Sequence, residues 1–194
     1  MNLVERAKNI ILKPKQEWPV IAAEPHTVQG LYTQYVMILA AIPAVAAFIG
    51  FSVLGMGGLG TSYRMPMGAG VAHMVVSYVL SLGMVYVLAL IIDGLAPTFG
   101  GQKNFMQAFK VAAFSPTASW IAGIFYIVPA LGILAVIGGL YSLYLLYTGL
   151  APLMKAPEEK SIAYTVVVII AAIVLTVVIA ALSALVLPGP VRGF

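Results

Sequence analysis

The chain has 194 residues, 62% of them hydrophobic and only 8% charged, with a mean hydropathy of +1.04. An ordinary soluble domain is about a quarter charged, so this composition excludes one and leaves room for membrane spans but for no separate catalytic domain. The net charge of +4 is what a positive-inside bias produces and makes no case for nucleic-acid binding, while the absence of cysteine excludes disulfides, thiolate metal sites, S-palmitoylation and a thiol nucleophile.

Residues 1–30 are the polar part of the chain. The first apolar stretch begins near Leu31, too far in for a secretory signal peptide. Leu3, Val4, Ala7, Ile10 and Ile11 fall at helical spacing, with Asn2, Glu5, Arg6, Lys8 and Asn9 opposite. That pattern predicts a short amphipathic helix lying in the headgroup plane, as an orientation anchor or a partner-docking helix. Lys13-Pro14-Lys15 ends it. Trp18 reads as an aromatic anchor at the membrane interface, flanked by Lys13 and Lys15. Glu24-Pro25-His26-Thr27 breaks the chain again, with Thr27 placed to cap the first span.

Beyond this segment the pattern predicts an all-α membrane bundle with spans at about 31–54, 70–92, 109–128, 130–151 and 162–187. The uncharged stretch from Val111 to Met154 runs 44 residues, about 66 Å as a helix and twice a hydrocarbon core of ~30 Å. The chain therefore turns back inside it, best at Val128-Pro129-Ala130-Leu131-Gly132, where Pro129 cannot donate a backbone hydrogen bond. The competing arrangement is one span plus a re-entrant segment. With five spans, Arg6, Lys8, Lys13, Lys15, Lys103, Lys110, Lys155 and Lys160 share one side, against Arg64 and Arg192 on the other. That imbalance places the N-terminus in the cytoplasm and the short tail 188–194 outside. All six acids also fall on the cytoplasmic side, so recognition by charge belongs there.

Few residues are equipped for chemistry. Asp93 is the only aspartate and sits at the cytoplasmic end of the second span, either paired with Lys103 or Lys110 or handling a proton or ion. The Pro97 and Gly100-Gly101 loop after it reads as a tightly folded segment and lacks the spacing of a phosphate loop. His73, Ser77 and Ser81 share a helix face at i, i+4, i+8, suited to bonding a neighbouring helix or lining a polar seam. Ser115-Pro116-Thr117, with Ser119, falls inside the third span, where the proline frees a carbonyl that hydroxyls can satisfy. Tyr141, Tyr144 and Tyr147 form a stripe, and Gly138 with Ser142 a small-xxx-small pair. Two distant histidines and acids on one surface supply neither a triad nor a metal set, so no catalytic residue, metal or cofactor is expected.

These features resemble the Yip1 family of five-span membrane proteins. The likeness covers Lys13-Pro14-Lys15-Gln16-Glu17-Trp18 with Ile21 and Glu24, then Leu95-Ala96-Pro97-Thr98-Phe99-Gly100-Gly101. It continues through Phe105-Met106-Gln107-Ala108-Phe109-Lys110-Val111, Ala113-Phe114-Ser115, Ile127-Val128-Pro129 and the tyrosine stripe. The resemblance implies a cytoplasmic N-terminus and a short external C-terminus. Eukaryotic members are associated with Rab GTPases and vesicle traffic, but this chain lacks their long N-terminal region and their Asp-Leu-Tyr-Gly-Pro motif. It looks like the bacterial members, and Rab binding does not carry over.

The resulting expectation is a non-enzymatic protein of the bacterial inner membrane, a scaffold or accessory subunit. It would bind lipids and a protein partner or a second copy through helix faces, tail and loop. The alternative is a small transporter or channel for an ion, proton or lipid, built on the Pro116 kink, the His73–Ser77 face and Asp93.

Overall fold

The computed structural model describes residues 2–58 and 61–186, so the tail 188–194 with Arg192 lies outside the described residues. Helices α1 (Leu3–Leu12) and α2 (Pro14–Ala23) share Lys13 as a joint. Asn2 caps α1 through its side-chain oxygen, and Pro14 opens α2 at a position where its missing N–H costs nothing. Helix α3 (Val28–Leu54) follows. The Thr27 hydroxyl accepts from the Gly30 N–H at 3.0 Å, the cap its position predicted. Two stretches of α3, Tyr32–Val36 and Ile49–Leu54, are π-wound.

The loop between α3 and the next helix carries a feature absent from the all-α expectation. Strands β1 (Met56–Gly58) and β2 (Thr61–Tyr63) pair antiparallel. Helix α4 (Met67–Leu95) then runs 29 residues and closes in a tight turn at Ala96–Phe99. The third apolar segment is broken into α5 (Phe105–Phe114) and α6 (Thr117–Ala122), followed by a tighter turn at Gly123–Ile127. The chain reverses at 128–131, where Leu131 N–H reaches the Val128 carbonyl at 2.8 Å. Helix α7 (Gly132–Met154) packs back along α6, and α8 (Glu158–Val186) completes the described chain. The turn thus falls where Pro129 predicted it. Among the described residues, three helices, Val28–Leu54, Met67–Phe99 and Gly132–Met154, are long and apolar enough to cross a membrane.

Small residues set the closest approaches. A Cβ added at Gly138 would lie 2.3 Å from the Ala122 methyl and 2.9 Å from the Ala118 carbonyl, and Ser142 accepts the Ser119 N–H at 2.9 Å. Gly138 and Ser142 therefore form a close helix–helix contact between α6 and α7.

The N-terminal segment departs most from expectation. Ile10, Trp18 and Ile21 are fully buried in the same core as Phe109, Leu145 and Leu150. Trp18 is thus no interface anchor: its ring lies against Gly149 and its Nε1–H donates to the Thr148 hydroxyl at 3.1 Å. Lys13 and Lys15 remain exposed. The apolar face of α1 is covered by protein in part: Ala7 and Ile10 pack inward and the Tyr141 hydroxyl donates to the Ile11 carbonyl at 2.7 Å, while Val4 and Leu12 stay exposed.

The Trp18 seat makes a testable demand on α7. A Cβ at Gly149 would meet the Trp18 ring at 2.6 Å, and a fused ring cannot bend away. Gly149→Val should destabilise the protein by about 1–3 kcal/mol, the range for overpacking. In a Trp120→Phe background, the remaining tryptophan emission should shift to the red as Trp18 leaves its seat.

Candidate functional site

The densest polar cluster of the described chain sits where α1, α2 and α5 meet. Arg6 is only 7% exposed. Its guanidinium pairs with Glu17 through one terminal nitrogen and with Glu24 through the other. The second oxygen of Glu24 bonds His26 Nε2 at 3.1 Å, and the His26 ring lies against Phe114. From α5, Lys110 Nζ donates to the Ala22 carbonyl at 3.1 Å and the Glu24 carbonyl at 2.7 Å. Gln107 Nε2 donates to the same Ala22 carbonyl at 3.0 Å. Helix C-terminal carbonyls lack partners within their own helix, and a lysine there also meets the negative end of the dipole. Lys110 thereby fastens the end of α2 to the bundle.

A second polar group lies at the break between α5 and α6. The Thr117 hydroxyl donates to the Phe114 carbonyl at 2.6 Å. Its one hydrogen is spent there, so in the 2.8 Å contact with Tyr35 the phenol is the donor. Ser115 Oγ is buried and has no partner. The Thr117 hydroxyl thus serves Phe114 and not the Ala112 carbonyl that Pro116 frees one turn back, while Ser142 on the neighbouring helix serves the Ser119 N–H.

The remaining candidates lie apart from both groups. Asp93 is not paired with a lysine among the described residues: Lys110 is occupied on α2, Lys103 is exposed, and Asp93 Oδ1 is buried without a partner. Beside it the Tyr164 hydroxyl donates to the Ile92 carbonyl, and Phe99 stacks on the Tyr164 ring at 4.9 Å. Pro97 is exposed in its turn. Gly100 takes a φ of 75°, and the Gly101 N–H returns to the Ala96 carbonyl at 2.8 Å. Gln102 N–H then reaches the Met154 carbonyl at 2.7 Å, clasping this loop onto the end of α7. The face of His73, Ser77 and Ser81 does not bond a neighbouring helix. His73 is exposed, and the two hydroxyls donate to Met74 and Tyr78 of their own helix at 3.1 and 2.7 Å.

Three open clefts border the N-terminal segment. One of about 440 Å³ runs between α1 and α2 past Glu5, Arg6 and Glu17. One of about 450 Å³ lies where Ala22, Gln102, Asn104, Gln107 and Lys155 converge. A smaller one of about 260 Å³ is lined by His26 and Gln34. None of the three is lined by Ser77, Ser115 or Asp93. Among the described residues no group of three His, Cys, Asp or Glu is placed to hold a metal.

Sequence reasoning missed the Arg6 cluster, although the signal was present. On a helix, Leu3, Arg6, Ala7 and Ile10 fall on one side, as do Glu17, Ile21 and Glu24. Each apolar face thus carries charges of one sign that match the other. Burial raises the Glu24 carboxyl, but the hydrogen bond and charge of Arg6, with His26, outweigh it and hold the group below its ordinary 4.5. Burial and the Lys110 charge push His26 below its ordinary 6.5, against the pull of Glu24. Both shifts have one consequence on acidification. The undocked His26 takes up a proton below pH 6.5 that the docked ring resists, and Glu24 loses its pairing as pH falls below 4.5. Hydrogen exchange in residues 2–24 should therefore speed up as pH drops from 7.5 to 5.5, relative to its intrinsic pH dependence. His26→Phe should flatten that response.

Comparison with known proteins agrees with this architecture. The family profile described as the Yip1 domain matches residues 8–180. Two relatives, the inner membrane protein YohC of Escherichia coli K12 and that of Escherichia coli O6:H1, are each 28% identical over 156 residues, covering 78% of this chain and 80% of theirs. Neither name is that of an enzyme. No solved structure matches. The chain, an apolar helical bundle with a docked N-terminal helix pair, belongs to the Yip1 family.

Proposed function

We propose that this protein is a non-enzymatic scaffold or accessory subunit of the bacterial inner membrane. It crosses the bilayer five times, with its N-terminus in the cytoplasm and the tail 188–194 outside. Beyond the three long apolar helices, the remaining spans are the broken α5–α6 segment and the 29-residue α8. The lysine distribution supports the orientation, and the YohC name supports the inner-membrane location.

The observation that carries the reading is the construction of the cytoplasmic end. Three segments distant in sequence, α2, the loop after Asp93 and the end of α7, close around the cleft of Gln102, Asn104, Gln107 and Lys155. Carboxamides offer both donors and acceptors, and the Gln107 carbonyl oxygen has no partner of its own. Such a surface suits recognition of a protein partner better than chemistry. Extraction with surrounding lipid, followed by native mass spectrometry, should find a homo-oligomer or a stoichiometric partner. Gln102→Ala with Lys155→Glu should reduce its recovery severalfold. A protein that is strictly monomeric and indifferent to lipid overturns the reading.

A second reading, a transporter or channel, draws support from the unpartnered Asp93 carboxylate oxygen at the end of α4. It requires proton or ion flux in liposomes that Asp93→Asn abolishes. Unchanged flux in that variant, or none in the native protein, removes it.

A further inference from the structure

The Arg6 cluster and the third-span break lie on elements that touch. Helix α1, which carries Arg6, packs on α6, which begins at Thr117. Tyr35 bonds Thr117, Thr117 bonds the Phe114 carbonyl, and the unpartnered Ser115 hydroxyl is buried beside them. This file of polar groups sits where the third apolar segment loses its helical bonding, beside the contact of α1 with α6. Buried hydroxyls left without a partner are uncommon and call for an explanation.

The elements that cover this file are joined in a particular way. Both ion pairs of Arg6 run to Glu17 and Glu24, within residues 6–24, so they bind α1 to α2 rather than to the bundle. The contacts that seat the pair are different in kind. Ala7, Ile10 and Ile21 are buried in the core, Trp18 lies against Gly149 and Thr148, Tyr141 bonds the Ile11 carbonyl, and Lys110 with Gln107 holds the end of α2. The covalent link to α3 is the non-helical stretch 24–27. Unseating the pair therefore breaks no helix and leaves both ion pairs of Arg6 intact, though it parts Lys110 from Glu24. An element ion-paired within itself and joined to the bundle through a non-helical link has the construction of a movable part.

We propose that α1 and α2 form a plug. This preassembled helix pair closes the polar file, and its release opens Ser115 and Thr117 to water from the side that bears the lysines. The plug is independent of the scaffold reading, since it concerns access to the interior rather than partner capture.

The absence of cysteine makes the test direct. Ser115→Cys is nearly isosteric and sacrifices no hydrogen bond, because the hydroxyl has none. In the full-length protein, in vesicles that expose the lysine-bearing face, a membrane-impermeant maleimide should label this cysteine slowly. Lys110→Met or Trp18→Ala, each removing one seating contact, should speed labelling by about tenfold or more. Ala135→Cys, buried in α7 and away from the plug, should stay protected in the same backgrounds. Labelling at Ser115→Cys that neither seat variant changes overturns the plug. So does labelling that rises equally at Ala135→Cys, which marks general loosening.

Discussion

Arg6 sets the terms for the N-terminal third of the molecule. A guanidinium removed from water costs several kcal/mol unless its hydrogen bonds and its charge are both answered. In a chain with only six acids, two of them, Glu17 and Glu24, are committed to this one group. They stand seven residues apart, two turns along one side of α2 and its extension. With that side facing Arg6, Trp18 and Ile21 point into the bundle. The end of α2 then comes within reach of Lys110. Trp18 settles the depth, because Gly149 on the facing helix leaves room for its ring.

Elements governed by local chemistry were legible in the sequence. The Thr27 cap depends on one hydroxyl and the next turn of backbone, the reversal near Pro129 on a missing N–H, and the Gly138–Ser142 contact on the absence of bulk at two places one turn apart. What was not legible depended on partners far along the chain. Tryptophan at a membrane interface is a general tendency, and a glycine on α7 reversed it for Trp18. Lys110 is expected only as a partner for Asp93, and the fold instead takes it to the end of α2. The site followed the same rule. The Pro97–Gly101 loop proved tight because glycine conformation is a local matter, whereas the His73 face turned its hydroxyls onto its own backbone.

The polar side chains divide by how well they are served. Thr117, Ser142 and Tyr35 answer one another around the break in the third segment. Asp93 Oδ1, Ser115 Oγ, Ser52 Oγ, the Gln107 carbonyl oxygen and Arg6 Nε are buried without partners. In a largely apolar bundle an unanswered polar atom is costly, so these five mark where the native arrangement was not shaped by stability alone. They lie at different places, which separates the ends of α4 and α5 from the break as regions open to function.

The lengths of α4 and α8 carry a last consequence. Each has 29 residues, a rise of about 44 Å, while a typical tilt of ~20° lets roughly 32 Å of helix fit within the hydrocarbon. If each crosses a bilayer, about 12 Å of it would stand outside the acyl chains. The ends bearing Asp93, Glu158, Glu159 and Lys160 are the ones fit to do so. At that tilt each helix would reach about 41 Å along the normal, close to the ~40–45 Å of a bilayer with its headgroups. The charged ends would then lie among the headgroups, in contact with lipid before any partner is bound.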